Sequence, residues 1–127
     1  MKRLAIVTSV VLILALAICS ASMAFLNQFL EEAHDLSTSV FVAMEQGDIT
    51  AAREGLVALA TLWKDNTPLL EVLCSHNDLH EVKERIIMSE ICIEYTDMED
   101  FYSNVALIGE GIDHIREEEA LSWSNLY

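Results

Sequence analysis

The stretch from Leu26 to Trp63, LNQFLEEAHDLSTSVFVAMEQGDITAAREGLVALATLW, carries two apolar stripes separated by one turn signal. Leu26, Leu30, Ala33, Ser37, Val40 and Met44 recur every three or four residues. That spacing gathers side chains on one face of an α-helix. Gln46-Gly47 follows, and glycine suits a helix C-terminal cap because it alone enters left-handed backbone without steric cost. Asp48 can then cap the next helix through its carboxylate. Ile49, Ala52, Leu56, Leu59 and Trp63 form the second stripe. Two amphipathic helices joined by a short turn make a helical hairpin, and each needs a further apolar surface to cover it.

On the N-terminal side, Met1-Lys2-Arg3 precedes 23 residues, Leu4–Leu26, without a charged side chain. At about 1.5 Å per residue such a helix is about 34 Å long, enough to cross a hydrocarbon core of about 30 Å. Lys2 and Arg3 on one flank and Glu31 and Glu32 on the other place the N-terminus inside and the remainder outside, since positive charge is retained in the cytoplasm. The division expected is a signal-anchor or transmembrane segment over 1–26 and an extracytoplasmic acidic helical domain over 27–127. Ser22-x-Ala24 fits a small-x-small cleavage pattern, but the apolar run exceeds the usual signal core of about 7–15 residues. Leu16-Ala17-Ile18-Cys19 differs from a bacterial lipoprotein box by its bulky Ile18. The reading adopted is an uncleaved, single-pass anchor at the cell membrane.

On the C-terminal side, helical periodicity continues with little punctuation, for the chain holds one proline and four glycines. The second helix is expected to end near Asp65-Asn66-Thr67, with Pro68 opening a third that runs to about Tyr95. Its stripe would be Leu69, Val72, Leu73, His76, His80, Ile87 and Ile91. Thr96-Asp97-Met98-Glu99 matches a capping box, with Thr96 as cap of a fourth helix; the alternative is a third helix that runs straight through. The fourth stripe is Phe101, Val105, Ile108, Ile112, Ile115 and Trp123. The fold expected is all-α: an N-terminal transmembrane segment followed by a small antiparallel bundle of about four helices.

All 21 Asp and Glu lie between Glu31 and Glu119, against five Lys or Arg after residue 26, a net charge of −16 on that part. Nucleic acid and anionic headgroups are disfavoured as partners, because phosphate binding needs a basic patch; cations, basic peptides or a basic protein surface are permitted. Cys74 and Cys92 are too far apart for a disulfide if one helix carries both. No Cys-x-x-Cys, Gly-x-Ser-x-Gly, Ser-x-x-Lys, phosphate loop or calcium loop occurs, so neither an enzyme nor a bound cofactor is expected.

His76 and His80 form the one local pattern with metal-ligand spacing. Histidines at i and i+4 project from one helix face and can share an ion with a ligand from another helix. The wheel places both on the apolar stripe, so they should face the bundle interior. The plainer reading gives them hydrogen bonds that hold helix register. His114, among Glu110, Asp113, Glu117 and Glu118, should lie in solvent. Trp63 reads as a core anchor or an interaction hot spot, and Trp123 as a fold-back or partner-binding residue.

The order of these features resembles the domain-of-unknown-function family DUF4363. The basic start, the apolar segment, Gly47-Asp48, Ala52, Trp63-Lys64, Leu73, His76 and the closing Ser122-x-x-Asn125-Leu126 carry that resemblance. It implies a small membrane-anchored protein of the kind found in Firmicutes, brings no activity, and marks Trp63 and His76. The function expected is therefore a protein–protein interaction or accessory module of the bacterial cell envelope, partnered by another envelope or membrane protein. The alternative is a metal- or small-ligand-binding helical domain using His76 and His80. An intact-mass measurement of the chain extracted from membranes should include residues 1–26; a chain starting at Phe25 or at a lipidated Cys19 would refute the anchor.

Overall fold

The first helix does not stop at the edge of the apolar run. In the computed structural model, which describes residues 1–124 and only the backbone of Trp123, α1 runs unbroken over Lys2–Glu45. Residues 1–21 are all exposed, and burial begins in earnest at Leu26. The most apolar 18-residue window of α1 has a mean hydropathy of 2.7 and none of it is buried. This helix is long and apolar enough to span a membrane. Its second half buries Leu26, Phe29, Leu30, Ala33, Ser37, Val40 and Met44, the stripe expected from the spacing.

Gly47 ends α1 in the left-handed region at φ +75°. The N–H of Gly47 donates to the Met44 carbonyl at 3.0 Å and that of Asp48 to Ala43 at 2.9 Å. This paired arrangement satisfies the last carbonyls of the helix. Asp48 then caps α2, Ile49–Leu73, its carboxylate accepting from the Ala51 N–H at 3.0 Å.

Two expected boundaries move. Pro68 does not start a helix; it lies inside α2. A proline in a helix interior costs about 3 kcal/mol. Continuing past it carries Leu70 to complete burial, worth about 1.5–3 kcal/mol. Just before the proline, Thr67 Oγ1 donates to the Trp63 carbonyl at 2.7 Å and Asn66 Nδ2 to that of Leu62 at 2.8 Å, back-bonds that accompany bends in helices; the carbonyl left without its helical donor is that of Lys64. The break falls instead at Cys74, which is extended (φ −126°, ψ 164°), and α3 runs over His76–Glu94.

That break resets the phase of α3. Leu79, Val82, Ile86, Ser89, Cys92 and Ile93 are buried, whereas Ile87 and Ile91 of the expected stripe are exposed. Leu69 and Val72 face solvent from α2 for the same reason, and Ile49 at its start is exposed too. At the next junction Thr96 is not a cap. It takes the left-handed conformation at φ +57°, a strained position for a β-branched residue. The Asp97 N–H donates to Cys92 at 2.9 Å, closing α3, and the Asp97 carboxylate accepts from Asp100 at 3.3 Å, opening α4.

Helix α4, Met98–Ser124, buries Phe101, Val105, Ile108, Ile112 and Ile115 as its stripe requires. Among the described residues α1 packs on α2 and α4, α2 on α3, and α3 on α4, while the diagonal pairs bring no Cα atoms within 8 Å of each other. The result is a four-helix ring in up-down order around one core. Phe29 against Trp63 and Val40 against Gly55 set the antiparallel register of α1 and α2. With equal rise on both helices, Leu73 at the end of α2 stands level with Ser20–Ser22. Ser22 and Met23 are accordingly half-buried.

The helices touch closely at small residues. A Cβ on Gly55 would sit 2.9 Å from Val40 Cγ2, and one on Gly111 would sit 2.8 Å from Val82 Cγ2. Gly109 differs, since its Cβ would lie 3.7 Å from Ser37 Oγ, an ordinary contact. Replacing Gly109 by alanine should therefore stabilise the bundle by about 0.5–1 kcal/mol through helix propensity. Gly111→Ala should lower stability by roughly 1 kcal/mol net, because Val82 is buried and stiff at χ1. Urea unfolding in detergent micelles, followed by tryptophan fluorescence, separates the two.

Candidate functional site

Helices α2 and α3 leave a groove between them of about 550 Å³, lined by Ala60, Trp63, Thr67, Pro68, Ile86 and Ile87, with Lys64, Lys83 and Glu90 also on its walls. Trp63 is 3% exposed, its indole tilted against the Phe29 ring with centroids 5.3 Å apart. It thus joins α1 to α2 and lines the inner wall of the groove. Lys64 and Lys83 are exposed. Among the described residues no Lys or Arg lies within 4.0 Å of a carboxylate; all four ion contacts use a histidine. In a chain with 21 acidic residues, two unpaired lysines beside an apolar groove form a local reversal of charge.

His76 and His80 do not face the interior. Both are exposed, because the break at Cys74-Ser75 turns Leu79 and Val82 inward instead. Their rings lie stacked, with centroids 6.4 Å apart and planes 10° apart. An ion binds in the plane of an imidazole, and near-parallel stacked planes direct the ring nitrogens along separate layers. His80 Nε2 instead meets Glu84 Oε1 at 3.2 Å. The two histidines, Trp63, Thr67, Glu71, Leu79 and Lys83 line a small cavity of about 60 Å³.

The other histidines bridge helices. His34 Nδ1 of α1 is buried and lies 3.4 Å from Asp113 Oδ1 of α4, within ion-pair reach but outside hydrogen-bond geometry. His114 is exposed, as expected, and meets two carboxylates there. Its Nε2 lies 3.2 Å from Glu118 Oε1, one turn on, and 3.9 Å from Asp78 Oδ1 of α3. These three groups bring their ligand atoms within 4.8 Å of one another. The wheel places His114 outward, and His114-x-x-x-Glu118 is visible in the sequence, but the approach of Asp78 depends on how α3 and α4 pair. The side chain of Trp123 lies outside the described residues.

Cys19, Cys74 and Cys92 are free. Cys74 belongs to the α2–α3 junction and Cys92 to α3, so the two do not share a helix. Burial, with Glu119 and Asp78 adding negative charge nearby, pushes the Cys74 thiol up to about 11 from 9.0. Cys92 is raised too, first by burial and then by Asp97 and Asp100. Polar groups are also met inside the core. Asn104 Oδ1 accepts from Arg85 Nη1 at 3.3 Å, and its Nδ2 donates to the Asp100 carbonyl at 2.8 Å.

A family model described as a domain of unknown function (DUF4363) matches residues 20–126, which takes in all of the described bundle. No curated protein and no solved structure matches the chain.

The raised Cys74 value has a direct chemical readout. At pH 8 a thiol at about 11 is ionised to about one part in a thousand, against roughly one in ten at 9.0. Alkylation of Cys74 in the folded chain should be about 100-fold slower than in denaturant, and should rise about tenfold from pH 8 to pH 9. Peptide mass spectrometry of time-quenched samples measures both.

Proposed function

Because the chain belongs to the family described as a domain of unknown function (DUF4363), we propose its role from its geometry: a membrane-tethered docking module of the cell envelope. In this reading α1 crosses the membrane once, with Lys2 and Arg3 inside and the bundle outside. The occupant of the α2–α3 groove is an amphipathic helix of another envelope or membrane protein, with apolar residues against Trp63 and Ile87 and carboxylates toward Lys64 and Lys83.

The observation that carries this reading is the groove with its unpaired lysines. Apolar helix faces are recognised in grooves of this kind through anchors spaced by three, four and seven residues, and tryptophan is enriched among the residues that dominate such binding. Charge decides the type of helix. The surface as a whole favours cationic partners at a net charge of −16 after residue 26. At the groove, Lys64 and Lys83 outnumber Glu90. An acidic partner is therefore steered to this face and repelled by the others. The same reversal of charge supports exclusion of basic helices from the groove.

Site-specific photocrosslinking in native membranes tests the proposal. A crosslinker at Ile87, exposed on the groove wall, should trap one discrete protein. A crosslinker at Glu117, exposed on α4, should not trap it. The paired substitution Lys64→Glu with Lys83→Glu should reduce the adduct at least tenfold, about 1.4 kcal/mol, without loss of helicity. Equal adducts at both positions, or an adduct indifferent to the charge reversal, would refute it.

A further inference from the structure

We infer that Asp78, His114 and Glu118 form a divalent transition-metal site, of the zinc class, that ties the start of α3 to the second half of α4. The site is distinct from the groove and does not use His76 or His80.

Three observations on these residues support it. The first is distance. A tetrahedral ion with ligands at about 2.0–2.1 Å sets its ligand atoms about 3.3 Å apart. His114 Nε2 lies 3.2 Å from Glu118 Oε1 and 3.9 Å from Asp78 Oδ1, and all three atoms fall within 4.8 Å of one another. The His114–Glu118 pair already stands at the tetrahedral spacing; Asp78 closes on it by a side-chain rotation that shortens its 3.9 Å approach by at least about 0.6 Å, with water in the remaining position. The second is donor chemistry. One imidazole with two carboxylates is a set that zinc and its neighbours accept, whereas calcium prefers six or more oxygens. The third is charge. Asp78 has a side chain only 18% exposed, and among the described residues no Lys or Arg lies within 4.0 Å of it or of Glu118. A divalent ion offsets both negative charges at once.

The topology makes the site a product of folding. His114 and Glu118 stand one turn apart on α4, and Asp78 reaches them only because α3 returns antiparallel beside it. Metal binding would thus couple to the docking of α3 on α4. His76 and His80 lack this convergence, since their stacked rings stand 6.4 Å apart.

The test uses the full chain in lipid nanodiscs, stripped with chelator, then titrated with zinc by calorimetry and with cobalt(II) by visible absorption. One zinc per chain should bind at micromolar concentration and raise the thermal midpoint. His114→Gln and, separately, Asp78→Asn should each weaken binding by at least about tenfold, which even an outer-shell partner commonly contributes, and should abolish the midpoint shift. The double variant His76→Gln with His80→Gln should bind as the unsubstituted chain does. Far-UV circular dichroism of each variant verifies folding, and two single variants on different helices keep the result independent of either one. Absence of zinc binding by the unsubstituted chain, affinity unchanged in both single variants, or loss in the His76/His80 variant would each overturn the assignment.

Discussion

The seam between α1 and α2 is the constraint on which the rest of the molecule depends. Along it, Phe29 meets Trp63 at one end, and Val40 closes on Gly55 nearer the turn. The absence of a side chain at Gly55 lets the two backbones approach, so a methyl there would collide with a valine that cannot rotate away. Register follows from this pairing, and from register follow the level at which α2 ends and the position of the α2–α3 turn. Trp63 is central to the arrangement. Emptying such a buried indole costs about 3–5 kcal/mol in a typical core, a large share of the stability of a domain this size.

Helix α4 and the buried part of α1 were legible from spacing alone, because each presents one uninterrupted apolar stripe bounded by clear polar faces. Helix α3 was not. Its segment Ile86-Ile87-Met88 and Ile91-Cys92-Ile93 offers apolar residues on adjacent faces, and periodicity cannot choose between them. The choice is made at Cys74-Ser75, where no glycine or proline stands to announce a break. Pro68 announces one that does not occur, since the complete burial of Leu70 favours carrying α2 on past it. Thr96 shows the converse, a residue whose local chemistry suits a cap but whose backbone closes the preceding helix. In each case tertiary packing overrode a local preference of about 1–3 kcal/mol.

The sites divide along the same line. Trp63 can be named from sequence because its stripe is unambiguous. The His76 and His80 pair looked inward only because α3 was given the wrong phase. The groove and the Asp78–His114–Glu118 cluster both lie between helices, where no single segment contains the information. A sequence reveals which residues share a face, but the pairing of faces is a property of the whole ring. Charge behaves similarly. The acidic total describes the average surface, whereas the lysines at the groove matter because, among the described residues, no carboxylate lies within 4.0 Å of either.

The unbroken course of α1 has a mechanical consequence. Residues 4–21 are the part of the apolar run that the bundle leaves uncovered, and at about 1.5 Å per residue they span about 27 Å, slightly less than a bilayer's hydrocarbon core. In the proposed membrane-spanning reading no slack would remain for a flexible stalk. The bundle would then stand on the lipid surface as a fixed post, with Leu69 and Val72 at its foot. The groove, level with Phe29 through Trp63, would then open only about 12 Å above the point where α1 leaves the bilayer. Proteins free in the surrounding fluid would have to reach down to it past the headgroups. A partner that is itself held in the same bilayer meets it by lateral diffusion, already at the right height.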